Sequence, residues 1–179
     1  PKQSNKARTW PVPTLSDNSA VPALFETDQL ITELKTKDYV RLNTGAVGHY
    51  IVKYTQPKHA DYVASLVDSK QLSPAERLML LNDSSLLARA GYETFAATLR
   101  LLPHYASEAS EPVWDMIAVL ISDTRRVVDW DEKLEPAVKA LVRGLIKKQY
   151  QRLGWEEKKS EPAEDTKLRA TIIGLGTYA

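Results

Sequence analysis

The sequence lacks cysteine and has no long apolar run. Without cysteine there is no disulfide, no thiolate zinc site and no cysteine nucleophile. The longest apolar stretches are far shorter than the roughly 20 residues that a membrane-spanning helix needs. Residues 1–20 also lack the apolar segment of a secretory signal. We therefore expect a soluble protein located in the cytoplasm.

A surplus of charge of one sign is also missing. The chain has 24 Lys and Arg residues against 23 Asp and Glu, so its formal net charge is +1. Proteins that bind the phosphate backbone of nucleic acids, or an anionic membrane, usually carry a clear positive excess. We therefore expect no nucleic-acid partner. The chain starts at Pro1 instead of Met, from which we expect a processed or excised segment.

The sequence contains no recognisable catalytic or metal-binding motif. The three histidines, His49, His59 and His104, do not form an H-E-x-x-H pair or any other spacing that would place two imidazoles on one metal. A G-x-S-x-G elbow and a phosphate-binding glycine loop are absent as well. We therefore assign no catalytic and no metal-binding residue to this chain, and its substrate-binding residues remain unknown from the sequence.

Residues 1–55 have the pattern of short β-strands. Two prolines in Trp10-Pro11-Val12-Pro13 restrict that stretch to an edge strand or an extended entry segment. Further short strands are predicted at 23–26 and 30–34, and 39–43 with 48–54 are predicted to form a hairpin. The sequence thus predicts a small antiparallel β-sandwich segment over 1–55.

Residues 56–179 have helical periodicity throughout. Ser73-Pro74-Ala75-Glu76 is a capping box that opens a helix ending near Ala90, with Gly91 just after it. That helix is apolar on most sides, so we expect it to be buried. Further helices are predicted over 57–68, about 93–102, 110–128 and 132–152, and from about 164 onward. This α+β chain would therefore end in a HEAT- or armadillo-like superhelix.

Several polar features allow two interpretations. Residues 129–132 could bind a cation, but acidic residues at a helix start are more simply explained by capping. The cations between Arg143 and Arg152, including Lys147 and Lys148, could bind an anion or could complement a helix C-terminus. Asp83 is predicted to be a buried structural hub rather than a catalyst. The four tryptophans are predicted to be core or interface anchors.

Five segments of the chain resemble, in order, those of a known enzyme family. They are the strand pair 39–54, Glu76-Arg77-Leu78 with Asn82-Asp83, Ala88-Arg89-Ala90-Gly91, Glu111-Pro112-Val113-Trp114, and Leu153-Gly154-Trp155 with Leu168-Arg169. Together they resemble the gluzincin zinc aminopeptidases, the family of aminopeptidase N and of the puromycin-sensitive and endoplasmic-reticulum aminopeptidases. One departure is Ile51, which stands where the family usually has arginine.

The resemblance implies that this chain is a non-catalytic C-terminal fragment. Family members carry zinc and the catalytic residues in an upstream domain, so the fragment would hold no cofactor while the parent holds zinc. The fragment would enclose the active site and shape the peptide channel, with the upstream catalytic domain and peptide substrates as partners. Self-association of the fragment is also expected. The alternative is a non-catalytic helical-repeat scaffold for protein interactions.

Overall fold

The computed structural model describes residues 10–34 and 39–179, which are mainly helical. The strands are β1 (Val12–Pro13) and β2 (Leu24–Phe25), and the helices are α1 (Pro57–Asp68), α2 (Pro74–Arg89), α3 (Phe95–Leu101), α4 (Glu111–Val128), α5 (Leu134–Leu153) and α6 (Ala163–Tyr178). Two short 3-10 turns lie at Thr44–Ala46 and Leu102–Tyr105. This content agrees with an α+β class. Among the described residues, no helix is both long and apolar enough to cross a membrane.

The chain divides into two compact units, one ending at Val63 and the other running from Ala64 to Ala179. The domain division at 55/56 expected from the sequence stays a prediction. In the first unit, β1 and β2 pair antiparallel, with Val12 opposite Phe25 and Pro13 opposite Leu24. A proline fits this two-stranded ribbon because each strand has a free edge, where the missing N–H costs no ladder hydrogen bond.

The predicted hairpin over 39–43 and 48–54 is wrong, and the strand predicted at 30–34 is also not formed. Main-chain N–H groups that would bond to a paired strand bond to side chains instead. The N–H groups of Arg41 and Leu42 donate to Asp17 Oδ1 (2.8 Å) and Tyr54 Oη (3.2 Å), and His59 Nε2 lies 3.3 Å from Val40 N and 2.6 Å from Val40 O. Such side-chain bonds compete directly with a β-ladder.

The turn between these segments is also of a different kind from a hairpin turn. Asn43, Gly45 and Ala46 have φ values of 58°, 79° and 55°, in the left-handed region. The Asn43 side chain closes the loop because its Oδ1 accepts from Gly48 N (2.6 Å) and its Nδ2 donates to Gly48 O (2.8 Å). The described residues therefore contain one two-stranded sheet, and the sandwich is not confirmed.

In the second unit, the helix signals in the sequence are confirmed. Ser73 Oγ accepts from Glu76 N (3.3 Å) and Glu76 Oε2 accepts from Ser73 N (2.8 Å), which is the predicted capping box. Gly91, with φ 76°, follows α2 in the left-handed conformation. Helix α3 is shorter than predicted, because the chain tightens into the 3-10 turn that contains Pro103.

The core of the second unit lies between packed helices. Helix α6 packs on α4 and α5, and α2 packs on α3 and α4. The largest fully buried side chains are Leu81, Leu102, Tyr105, Trp114, Ile117, Leu120, Ile121, Leu145, Leu153, Leu168 and Ile172. The expectation that α2 is buried on most sides is wrong. Of its predicted apolar set only Leu81 and Ala88 are buried, since α3 and α4 cover one side of the helix. A superhelix is not confirmed.

Candidate functional site

Glu108, in the connection between α3 and α4, is the centre of a polar network. Its carboxylate accepts from Arg77 Nε (2.5 Å) and Nη2 (2.9 Å) and from the N–H groups of Ala109 and Ser110 (2.8 Å each). Its main-chain oxygen accepts from Trp114 Nε1 (3.1 Å) and from Gln149 Nε2. One residue therefore ties α2, α4 and α5 together.

The electrostatics of this cluster favour a fixed ion pair. Burial alone would raise the pKa of the Glu108 carboxyl, but the hydrogen bonds from Arg77, Ser110 and Ala109 outweigh it and lower that pKa. The hydrogen bond to Glu108 raises the pKa of Arg77. Burial raises the pKa of Tyr105, whose hydroxyl donates to Arg77 O (2.8 Å). Each shift favours the form that the group ordinarily has at neutral pH, which suits a structural ion pair.

A small cavity of about 180 Å³ adjoins this hub of Glu108, Arg77 and Tyr105. His104 Nδ1 lies 2.5 Å from Asp68 Oδ2 on its wall, and Lys148 Nζ donates to Ser107 Oγ (3.1 Å). These contacts connect the end of α1 with the 3-10 turn, and α5 with the α3–α4 connection. The polar groups in this cavity thus serve to hold elements together.

A larger groove of about 520 Å³ lies between α5 and α6. The residues of α5 that line the groove recur at helical spacing, and those of α6 come from about one turn. Trp155 lies at one end of the groove. The lining residues are Arg143, Ile146, Lys147, Tyr150, Gln151, Trp155, Ile173, Gly176 and Thr177. A Cβ at Gly176 would lie 3.4 Å from Ile146 Cδ1, close to an ordinary van der Waals contact.

Two ion pairs fix the loop that leads from α5 to α6 beside this groove. Arg152 donates to both carboxylate oxygens of Asp165 (2.7 and 2.8 Å), and Arg169 donates to both oxygens of Glu161. The hydrogen bonds from Arg169 lower the pKa of Glu161 to about 2. The loop that carries Trp155 is therefore anchored at its far end by ion pairs that stay charged at neutral pH.

The structure does not assemble the sequence-derived histidines into a metal site. His59 Nε2 lies 2.6 Å from Val40 O, His104 pairs with Asp68, and His49 is exposed. Over residues 10–34 and 39–179, no group of three or more His, Cys, Asp or Glu side chains could hold a metal ion. These residues therefore do not fit the zinc that the family resemblance implies for the parent enzyme.

Within the acidic segment 129–132, the capping interpretation is confirmed for Asp131, whereas the N-cap residue of α5, Lys133, makes no side-chain cap bond. Asp131 Oδ1 accepts from Lys133 N (2.9 Å) and Leu134 N (3.0 Å) at the start of α5. Asp129 lies 3.4 Å from Arg125 Nε of α4.

The cations of α5 do not form one patch. Arg152 is paired with Asp165 and Lys148 bonds Ser107, whereas Arg143 and Lys147 line the groove. These contacts test neither the anion-patch nor the helix-terminus interpretation, so both stay predictions.

The predicted burial of Asp83 is confirmed, whereas of the four tryptophans only one lies in the core. Asp83 is buried, as predicted, and makes a polar interaction. Trp114 is fully buried, whereas Trp10, Trp130 and Trp155 are exposed. Sequence reasoning missed Glu108, because no local pattern marks a residue whose partners lie 31 and 41 positions away.

Comparisons with known proteins place the chain in a family. Residues 39–179 match the ERAP1-like C-terminal domain. The chain is 31% identical to aminopeptidase N of Lactococcus lactis subsp. cremoris over 98% of its own length, and 29% identical to aminopeptidase N of Lactobacillus helveticus over 98%. It is 25% identical to glutamyl aminopeptidase of Rattus norvegicus over 93%.

These relatives are much longer than the chain. The chain spans 21% of the length of the two aminopeptidase N sequences and 18% of the glutamyl aminopeptidase. The helices, with the hub and the groove that they form, lie within the segment that matches the domain family. The chain thus belongs to the aminopeptidase family that includes aminopeptidase N and glutamyl aminopeptidase, and it carries that family's ERAP1-like C-terminal domain.

Proposed function

We propose that this chain is a non-catalytic C-terminal part of a zinc-dependent aminopeptidase, in which it encloses the active site and shapes the channel that admits peptides. The observation that carries this proposal is the domain match over 39–179 within relatives about five times as long. The bound zinc of the parent would activate a water molecule for hydrolysis of the first peptide bond.

The chain's own contribution under this proposal is a rigid wall. The hub at Glu108 fixes three helices, and the Arg152–Asp165 and Arg169–Glu161 pairs fix the α5–α6 loop. Contacts between a wall of this kind and remote parts of a peptide influence turnover without touching the reacting bond. The chain would therefore affect which peptides are cleaved and leave the chemistry to the catalytic domain.

A chimera tests the proposal. In aminopeptidase N of Lactococcus lactis, the aligned segment is replaced by this chain, and hydrolysis is compared between an aminoacyl p-nitroanilide and peptides from dipeptide to decapeptide. We expect kcat/KM for the small amide to stay within about threefold of the host, because the reacting groups are unchanged. The dependence on peptide length should change. A folded, zinc-loaded chimera with the length profile of the host would contradict the channel role.

The isolated 179-residue chain is the matched control. We expect it to bind no stoichiometric zinc by metal analysis and to hydrolyse no aminoacyl amide. Stoichiometric zinc or amide hydrolysis in the isolated chain would contradict a non-catalytic role. A chimera that folds but fails to hydrolyse the small amide would favour the helical-repeat scaffold instead.

A further inference from the structure

We propose that the loop between α5 and α6 is a processing site for a trypsin-like protease, which hydrolyses the bond between Lys159 and Ser160 when the Glu161 carboxylate releases the loop. The inference concerns a modification of this chain that the proposed function does not assign. It rests on the exposure of the loop, on the hydrogen bonds that close it and on the packing of α6.

The loop presents lysine in an exposed position. It covers residues 154–162 between the two helices, and residues 155–160 are all exposed. Within the described part of the chain, Lys159 and Ser160 make no hydrogen bond. Exposed loop tips are preferred sites of proteolytic cleavage. The bond after Lys159 suits the trypsin class, whose pocket for the side chain before the cleaved bond contains an aspartate.

The other lysines outside the helices of the second unit lie in hydrogen-bonded turns. They are Lys70 and Lys133, apart from the loop itself. The N–H group of the peptide bond after Lys70 donates to Leu66 O (3.0 Å), and that after Lys133 donates to Asp131 Oδ1 (3.0 Å). The N–H group after Lys159 has no acceptor in the part of the chain that the structure describes. Cleavage in the second unit should therefore begin in the α5–α6 loop.

One carboxylate holds this loop closed. Glu161 accepts from Arg169, from Thr166 Oγ1 (3.0 Å) and from Lys158 N (3.1 Å). Lys158 Nζ in turn donates to Arg152 O (2.6 Å), which ties the residue before Lys159 to the end of α5. A protease takes up its substrate as an extended strand, so these contacts must open first. The cleavage rate then follows the population of the open loop.

The backbone at Ser160 favours opening. Its φ of 65° lies in the left-handed region, which residues other than glycine rarely adopt. Such a conformation persists only where the surrounding contacts impose it, and the neighbouring Glu161 makes those contacts. Extension of the loop in a protease would relieve this strain.

Cleavage at this bond should leave the fold in place. One water molecule is added across the bond, so that Lys159 gains a terminal carboxylate and Ser160 a terminal ammonium. Helix α6 packs on α4 and α5, and its buried apolar side chains are Leu168, Ile172 and Leu175. The pair between Arg152 and Asp165 (2.7 and 2.8 Å) also joins the two pieces. The product is therefore a cut chain that keeps α6 bound.

The test treats the 179-residue chain with a low concentration of trypsin at neutral pH and follows the fragment 160–179 by intact-mass spectrometry. We expect this fragment to appear before any other product that is cut within residues 64–179. In size-exclusion chromatography it should elute together with the rest of the chain. Cleavages before residue 64 do not affect this readout.

Glu161→Gln tests the carboxylate. We expect the fragment to form about tenfold faster, because the open loop becomes more populated. The matched control Glu164→Gln removes an exposed carboxylate that makes no hydrogen bond in the described part of the chain, and should change the rate by less than about twofold. Synthetic peptides of residues 155–166, with and without Glu161→Gln, measure the direct effect of the substitution on trypsin. Far-UV circular dichroism checks that both variants are folded.

Several results would overturn the proposal. One is a first cut in the second unit after Lys70 or Lys133, and another is separation of α6 from the cut chain. Equal acceleration by Glu161→Gln in the chain and in the peptide would show that the carboxylate does not control opening. A folded, active chimera with the Lactococcus lactis enzyme that is not cut at this bond would show that the rest of the enzyme covers the loop, and would also overturn the processing site.

Discussion

At Glu108, one buried carboxylate neutralises a guanidinium and takes up two main-chain donors. Its side chain is 1% exposed, against 17% for that of Arg77. A buried ion pair of this kind contributes little beyond an apolar pair of the same shape, but it is costly to break, because the remaining partner is left charged and unpaired. A substitution of Glu108 should therefore lower the free energy of unfolding by more than the ion pair itself contributes.

Glu108→Gln is therefore predicted to lower the free energy of unfolding by about 2–4 kcal/mol. Glutamine keeps the size of the side chain, but it leaves Arg77 without a counter-charge. Urea unfolding followed by circular dichroism measures the loss. The control is Arg89→Gln, which breaks the ion pair between Arg89 and Asp123. This pair lies at the surface, since the Arg89 side chain is 49% exposed. The control substitution should cost less than about 1 kcal/mol, and equal losses in the two variants would contradict the role of the hub.

The pH dependence of stability gives a second readout for the same variant. The pKa of Glu108 is lower in the folded chain than its ordinary value. The stabilisation is therefore fully present above the unfolded pKa of about 4.3 and is lost as the pH falls through the folded pKa. The Glu108→Gln variant should show a smaller loss of stability over this acid range than the parent chain.

At the scale of an element, the start of α2 depends on its capping box. Ser73→Ala removes the acceptor for Glu76 N, so we predict a loss of about 1 kcal/mol in the free energy of unfolding. Ser73→Asp keeps an acceptor at the same position and places a negative charge at the helix N-terminus, and should retain most of the stability. Urea unfolding measures both variants. If Ser73→Asp lost as much as Ser73→Ala, capping would not explain the effect.

The elements show which parts of the fold the sequence could predict. Helix bounds were predicted within a few residues because their signals are local, as in Ser73 with Glu76 and in Gly91. The hairpin failed because His59, Tyr54 and Asp17 bond the main chain of 40–42 from outside the local pattern. The groove was only partly visible, since its cations were noted but their position opposite Ile173 depends on how α6 packs.

At the scale of the whole molecule, the apolar core is concentrated in the second unit. Among the described residues up to Val63, the buried apolar side chains are those of Val40 and Val63. A segment with so small a core has little to offset its conformational entropy. The helical part, by contrast, has a core of its own.

We therefore predict that residues 56–179, which keep α1 whole, fold without the preceding residues. Thermal unfolding followed by far-UV circular dichroism should show one cooperative transition for this piece, as expected for a small domain. Residues 1–55 alone should show none. Loss of the cooperative transition in 56–179, with retention in the full chain, would mean that the first unit is required for the helical core to form.

The position of Glu108 also limits how the length of this chain can change in evolution. Its contacts reach three helices from the short connection between Tyr105 and Glu111. One inserted residue there would shift Glu108 relative to its partners Arg77, Trp114 and Gln149 on the three helices. The exposed stretch 156–160 bonds only to the loop itself and to the adjoining ends of α5 and α6, so insertions and deletions among related chains should accumulate there while the α3–α4 connection keeps its length.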